Sequence, residues 1–265
     1  MSINYAKTIP AGKRPGLPQV EAPAVSGVSE RLIRRLTVST SLEAADIEAI
    51  VRLPMIVKDL PAQAAIAREG EKPAQCCLLI DGFACRSKTT DVGKRQILSI
   101  HIPGDVPDLQ SLHLHTMDHD LTTLSASRVV FIAHDSLRAI TRERPLVAEA
   151  LWRETLIDAA VFREWIVNVG RRPATSRMAH FLAEIGKRIE AVGLAHADEY
   201  DLPMTQIDMA DALGLSPVHV NRVIQELRRS GVLELRKHAV SIRDLPQLMQ
   251  LADFDDLYLH QNQAV

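Results

Sequence analysis

LPMTQIDMADALGLSPVHVNRVIQELRRSGVLELRKHAVSIRD, residues 202–244, decides the fold of the C-terminal part of the chain. It reads as two short helices, a tight turn and a β-hairpin. Thr205 suits an N-cap, and Asp208 three residues later can reach back to an orphan backbone N–H, as in a capping box. Ile207, Met209, Ala210, Ala212 and Leu213 are expected on the inner face of the first helix. Gly214 supplies the left-handed turn that folds the chain back. Ser216 caps the second helix and Pro217 takes its first position, where a missing N–H costs nothing. Val220, Val223, Ile224 and Leu227 point inward at helical spacing; Pro217, Val218, His219, Asn221, Arg222, Gln225 and Arg229 face out. After Gly231, Val232–Leu235 and Ala239–Ile242 alternate as strands joined through Arg236, Lys237 and His238.

That order is a winged helix-turn-helix, whose second helix enters the major groove while the wing tip approaches phosphates. The alternative is an ordinary helical pair beside a hairpin. Charge favours DNA: from Ser216 to Arg243 six Lys/Arg stand against two acids, whereas the whole chain carries −2. Arg222 is the expected base reader. Thr205, Gln206, Ser216, Arg236 and Lys237 are expected to position on phosphates, and Pro217, Val218, His219 and Asn221 to meet base edges.

Working outward, 265 residues suffice for one large domain or two ordinary ones, and 46% apolar content supports a substantial core. Cys76, Cys77 and Cys85 are odd in number with two adjacent, which argues against a disulfide framework and for a reducing, cytoplasmic setting. No apolar run reaches spanning length and no signal-peptide pattern opens the chain, so no membrane partner is expected. Residues 1–27, with four prolines and no sustained period, are expected to form an extended arm. Helical patterns follow near Leu32, Ile33 and Leu36 and from Leu42 to Arg52, the latter capped by Thr40 or Ser41. Between residues 56 and 140 strand-like runs recur at Cys77–Ile80, Phe83–Arg86, Gln96–Ile102, Leu121–Leu124 and Val129–Ala133. Glycine and Asp-rich turns punctuate them, as in an antiparallel jelly roll or β-roll.

From Pro145 to Val169 a long helix is apolar around most of its circumference, so it is buried on more than one side. Leu151, Thr155, Asp158, Phe162, Trp165 and Val169 follow four-three spacing and are the expected dimer seam; a plain core helix is the alternative. Gly170 and Arg171, ahead of Pro173, form the expected hinge to the next helix, which carries Met178, Leu182, Ile185 and Ile189 on one face.

These parts in this order resemble the Crp/Fnr superfamily of transcription regulators over roughly residues 30–250. The resemblance is carried by Leu78-Leu79-Ile80-Asp81-Gly82-Phe83, Gly93-Lys94-Arg95-Gln96-Ile97, Ile102-Pro103-Gly104-Asp105, Gly170-Arg171-Arg172-Pro173-Ala174 and Leu215–Arg222. It implies an α+β chain: a cyclic-nucleotide-binding-like sensor over 28–144, a dimerisation helix over 145–169, a winged helix-turn-helix over 170–250 and a tail over 251–265. It also implies a homodimer on a palindromic operator, contact with RNA polymerase, and no enzymatic activity. Cyclic-nucleotide members follow the Pro-Gly-Asp turn with Gly-Glu and later an Arg for the phosphate. Here Val106-Pro107-Asp108 follows the turn and Asp120 stands where that Arg would align, so cyclic AMP is not the expected effector. The candidate pocket residues are Asp105, Asp108, Asp118 and Asp120, with the effector itself unidentified. The iron–sulfur branch needs N-terminal cysteines, and none precedes Cys76; no cofactor is expected.

His113, Leu114 and His115 would put two imidazoles on one face of a strand, and His119 could join them on a metal. A polar loop is the preferred reading of that stretch. The competing function is a cupin-like metal-dependent enzyme, which leaves the helix from Ser216 to Arg222 unexplained. No nucleophile elbow, phosphate loop or acid–base pair stands out elsewhere.

Overall fold

The computed structural model describes residues 27–195 and 198–261. Apart from Gly27, the arm expected over 1–27 lies outside the described residues, as do residues 262–265 of the tail. Two helices come first, α1 (Gly27–Thr37) and α2 (Ala44–Val51), burying Leu32, Leu36 and Ile50. The second starts later than its expected cap: Glu43 precedes it, and the Asp46 carboxylate accepts the Glu43 N–H at 3.0 Å.

The β-roll follows: β1 (Met55–Leu60), β2 (Ala65–Ala67), β3 (Gln75–Asp81), β4 (Ala84–Thr89), β5 (Arg95–His101), β6 (Asp120–Thr123) and β7 (Ser127–Ala133). They pair antiparallel in two sheets, ordered β1-β7-β3 and β2-β6-β4-β5. Period-two alternation gives β3 two buried faces. Cys76 and Leu78 pack with Leu32, Leu36 and Leu151, while Cys77 and Leu79 pack with Ala84, Leu121 and Val129 between the sheets. Gly82, at φ +81°, makes the β3–β4 turn, where a Cβ would fall 2.3 Å from Ser127 Oγ and 2.5 Å from the Ala126 carbonyl. Only glycine fits there.

Helix α3 (His134–Glu143) replaces the end of the region expected to be sheet, and α4 (Pro145–Arg171) follows with Pro145 in its first turn. The helix break falls later than the expected hinge residues. Gly170 and Arg171 continue α4, and the chain leaves helical geometry at Arg172, with ψ 140°, before Pro173 and α5 (Ala174–Ala191). A single glycine lowers helix propensity by about 1 kcal/mol, which packing along a 27-residue helix overrides, whereas Pro173 disfavours the α conformation at the residue before it.

The remainder is β8 (Glu199–Asp201), α6 (Gln206–Leu213), α7 (Pro217–Arg229), β9 (Leu233–Arg236), β10 (Ala239–Ile242) and α8 (Leu245–Ala252), with the small sheet ordered β8-β10-β9. The expected tail from residue 251 is partly structured: α8 reaches Ala252, and a 3-10 turn at Asp256–Leu259 returns to α4 and α5. There Tyr258 donates to Glu184 at 2.8 Å and Leu259 is buried.

Candidate functional site

Local chemistry builds the outward face of α7. Thr205 Oγ1 accepts the Asp208 N–H and Asp208 Oδ2 accepts the Thr205 N–H, both at 3.1 Å, so the capping box forms as its sequence requires. Gly214, at φ +62°, ends α6, and Ser216 Oγ accepts the His219 N–H at 3.2 Å to begin α7. Val220, Val223, Ile224 and Leu227 are buried; Pro217, Val218, Asn221 and Arg222 are exposed, Val218 to 81%. Ile207 departs from its expected inward position. It is 61% exposed, beside Gln206 on the outer side of α6, because Asp208, Met209 and Ala210 fill the inner side.

The exposed polar groups are ordered among themselves. Arg222 donates to His219 Nε2 at 2.9 Å, and Asn221 Nδ2 donates to Gln206 Oε1 at 3.5 Å, joining the two helices. The wing turns at Lys237 and His238, with Lys237 at φ +53°, while Arg236 belongs to β9. Arg236 donates to Glu234 at 2.8 Å, and Arg228 and Arg243 lie 3.6 Å from the same carboxylate. The hydrogen bond from Arg236 holds Glu234 below the usual carboxylate range. Part of the positive surplus is therefore neutralised within the wing.

The second feature is a cavity of about 380 Å³ between the β-roll and α4. Its walls are largely aliphatic, but buried guanidiniums enter from three sides. Arg86 of β4 donates to the Pro107 carbonyl at 2.7 Å and to Asp158 of α4 at 2.5 Å. Arg35 of α1 meets Glu154 at 2.7 Å and Asp105 at 3.5 Å, and Arg188 of α5 donates to Asp105 and to the Ile100 carbonyl, both at 2.9 Å. Burial pushes the Asp105 carboxyl upward, yet Arg35 and Arg188 outweigh it and hold the group well below its ordinary value. Burial raises Glu154, and burial together with the charge of Arg86 lowers His101 and His119.

Of the four acids expected in this pocket, Asp105 and Asp118 line it. Asp108 instead faces β3, accepting the Cys77 N–H at 2.7 Å, and burial lifts its pKa to about 7. Asp120 accepts the Glu69 N–H at 2.9 Å at the start of β6. Sequence reasoning missed Arg86. Its signal was present in the run Ala84-Cys85-Arg86-Ser87, a cation within a stretch short and apolar enough to be buried.

Residues 57–144 match the cyclic nucleotide-binding domain family and residues 176–251 match the Crp-like helix-turn-helix domain family, in that order along one chain. The chain belongs to the Crp/Fnr superfamily. The transcriptional activator protein FnrL of Cereibacter sphaeroides is 28% identical over 70% of this chain and 76% of its own length. The nitrogen fixation regulation protein FixK of Bradyrhizobium diazoefficiens is 26% identical over 84% and 93%. The solved structure of FixK2 from Bradyrhizobium japonicum superposes with a TM-score of 0.69 at 26% identity, covering 75% of this chain and 98% of that one. This Crp/Fnr chain is accordingly a transcription regulator with a helix-turn-helix DNA-binding domain.

Packing agrees with the preferred polar-loop reading of the histidine stretch and overturns the strand alternative. His113 and His115 lie in an exposed loop after a 3-10 turn (Leu109–Leu112), not on a strand, and His119 is buried against Asp118 at 2.6 Å. Among the described residues no group of three His, Cys, Asp or Glu is arranged to hold a metal, and the cupin-like alternative loses its ligand set. One expectation is corrected: the row expected as the dimer seam does not form an outward face of α4. Leu151 and Trp165 are buried within the chain, Trp165 donating to Glu184 at 3.1 Å; Thr155, Asp158 and Phe162 line the cavity; Val169 packs toward Gly214. The outward residues are Trp152, Leu156, Arg163, Ile166 and Val167.

Proposed function

We propose that this Crp/Fnr regulator binds a palindromic operator as a homodimer joined along α4, without cyclic AMP. The observation that carries the reading is the row Trp152, Leu156, Ala159, Arg163, Ile166. It repeats at four-three spacing, and Trp152 and Ile166 are 67% and 72% exposed. Large apolar side chains at coiled-coil spacing fit a second copy of the same helix. A two-fold axis along α4 would present two α7 helices to successive major grooves, about 34 Å apart.

In this reading Arg222 grips a guanine, Val218 meets a thymine methyl, and Pro217, His219 and Asn221 complete the base-facing row. Thr205, Gln206, Ser216, Arg236 and Lys237 hold phosphates. The hinge is Arg172-Pro173. The regulator works in the cytoplasm, contacts RNA polymerase from the operator, and catalyses no reaction. Cyclic AMP is disfavoured because each buried guanidinium at the cavity already carries a carboxylate of the chain.

An anisotropy titration of the purified protein on its own upstream DNA, across salt and with or without cyclic AMP, tests this. Tight, salt-sensitive binding indifferent to cyclic AMP is expected. A requirement for cyclic AMP, or no preference for upstream over random DNA, would overturn it.

A further inference from the structure

We propose that Asp158 serves as a built-in anion for Arg86, so that α4 is held against the sensor sheet without a bound ligand. This rests on the proposed reading of α4 as the helix that joins two copies on an operator. Arg86 has 6% of its side chain exposed, and a buried guanidinium requires a counter-charge. Its donors are directed to three partners: the Pro107 carbonyl at 2.7 Å, the Gln110 side-chain carbonyl at 3.4 Å and the Asp158 carboxylate at 2.5 Å. Phe162, one helical turn beyond Asp158, places its ring centroid 5.7 Å from the same guanidinium. The carboxylate in contact with Arg86 therefore comes from α4 itself, and it links β4 to the helix row through Leu151 and Phe162, about 100° round from the row through Trp152 and Ile166.

Charge balance around the cavity supports the same conclusion. Arg35, Arg86 and Arg188 are matched by Glu154, Asp158 and Asp105. The remaining acid on the wall, Asp118, contacts His119. An anionic ligand entering this space would have to displace Asp158 or leave the cavity with excess negative charge. In the arrangement described, the connection that a ligand anion would make between sheet and helix is covalently part of the chain.

The test uses full-length protein. Asp158→Asn keeps size and removes charge; Asp158→Ala opens a gap that acetate can fill. Both variants are expected to bind operator about tenfold more weakly, within the usual range of allosteric coupling. Millimolar acetate, at ionic strength held constant with chloride, should raise the unfolding temperature and the operator affinity of Asp158→Ala. It should do neither for wild type or for Asp158→Ala combined with Arg86→Ala. Operator affinity unchanged in both single variants would overturn the proposal. So would an acetate effect that persists without Arg86, or its absence in Asp158→Ala. If wild type bound no DNA while acetate still stabilised Asp158→Ala through Arg86, the operator reading would fail and the internal anion would stand.

Discussion

In the proposed dimer along α4, truncating Ile166 to alanine should separate the two copies without unfolding the protomer. Removing three side-chain carbons costs about 2.4 kcal/mol when all are buried, at about 0.8 kcal/mol each. Ile166 is 72% exposed in the single chain, so about 1.7 kcal/mol of that depends on the partner. Two-fold symmetry applies the loss twice, about 3.5 kcal/mol, or a dimer constant weakened by about 300-fold. Sedimentation equilibrium over a concentration series reads this directly. Phe162→Ala is the control: Phe162 faces the cavity, so this variant should lose protomer stability while its dimer constant stays within a few-fold of wild type. Were Ile166→Ala to dimerise like wild type, or Phe162→Ala to dissociate in its place, the assignment of faces on α4 would be refuted.

Other predictions follow from the same contacts. Arg222→Ala should relax operator preference by about 1–3 kcal/mol at one base pair, whereas Lys237→Ala should weaken binding to all sequences and reduce the salt slope by about one; equal effects in competition titrations would contradict that division. Arg188→Met leaves Asp105 and Glu184 buried without their shared guanidinium and should destabilise the fold by about 3–5 kcal/mol in urea unfolding. Asp108 has its pKa lifted to about 7 by burial, from an ordinary 3.8. Its contribution is therefore fully present in acid and lost as pH rises through about 7. Asp108→Asn retains an acceptor for the Cys77 N–H and should be the more stable protein at pH 8, by up to about 4 kcal/mol, with the difference vanishing near pH 4. Unfolding titrations that run parallel across that range would count against the burial of a charged carboxylate.

The winged helix-turn-helix was legible because its determinants are local. Thr205 with Asp208, Gly214, Ser216 and Pro217 each act within one turn of chain, and the buried row Val220, Val223, Ile224 and Leu227 follows from helical period alone. The same holds for most strands of the roll, where two-residue alternation and glycine turns are written along the chain. Ile207 was misread because a helix of eight residues has too few positions for periodicity to separate an edge from a face.

The offset on α4 has a different origin. Two rows, one through Leu151 and Phe162 and one through Trp152 and Ile166, share the same spacing and similar apolarity, and they differ by one residue, about 100° of rotation. Nothing in the order of residues says which row meets the β-roll. Arg86, Glu184 and the returning tail decide it: Asp158 faces the cavity guanidinium, and Trp165 turns its indole N–H to a carboxylate that Tyr258 also reaches. The sequence by itself determined the kind of protein, a cyclic-nucleotide-binding-like roll joined to a helix-turn-helix DNA-binding domain, since capping and periodicity operate over a few residues. Which face of the long helix is buried, and the pairing of Arg86 with Asp158, were decided only by tertiary structure. Those pairings join residues far apart in the chain, and a charge 72 positions away leaves no local trace.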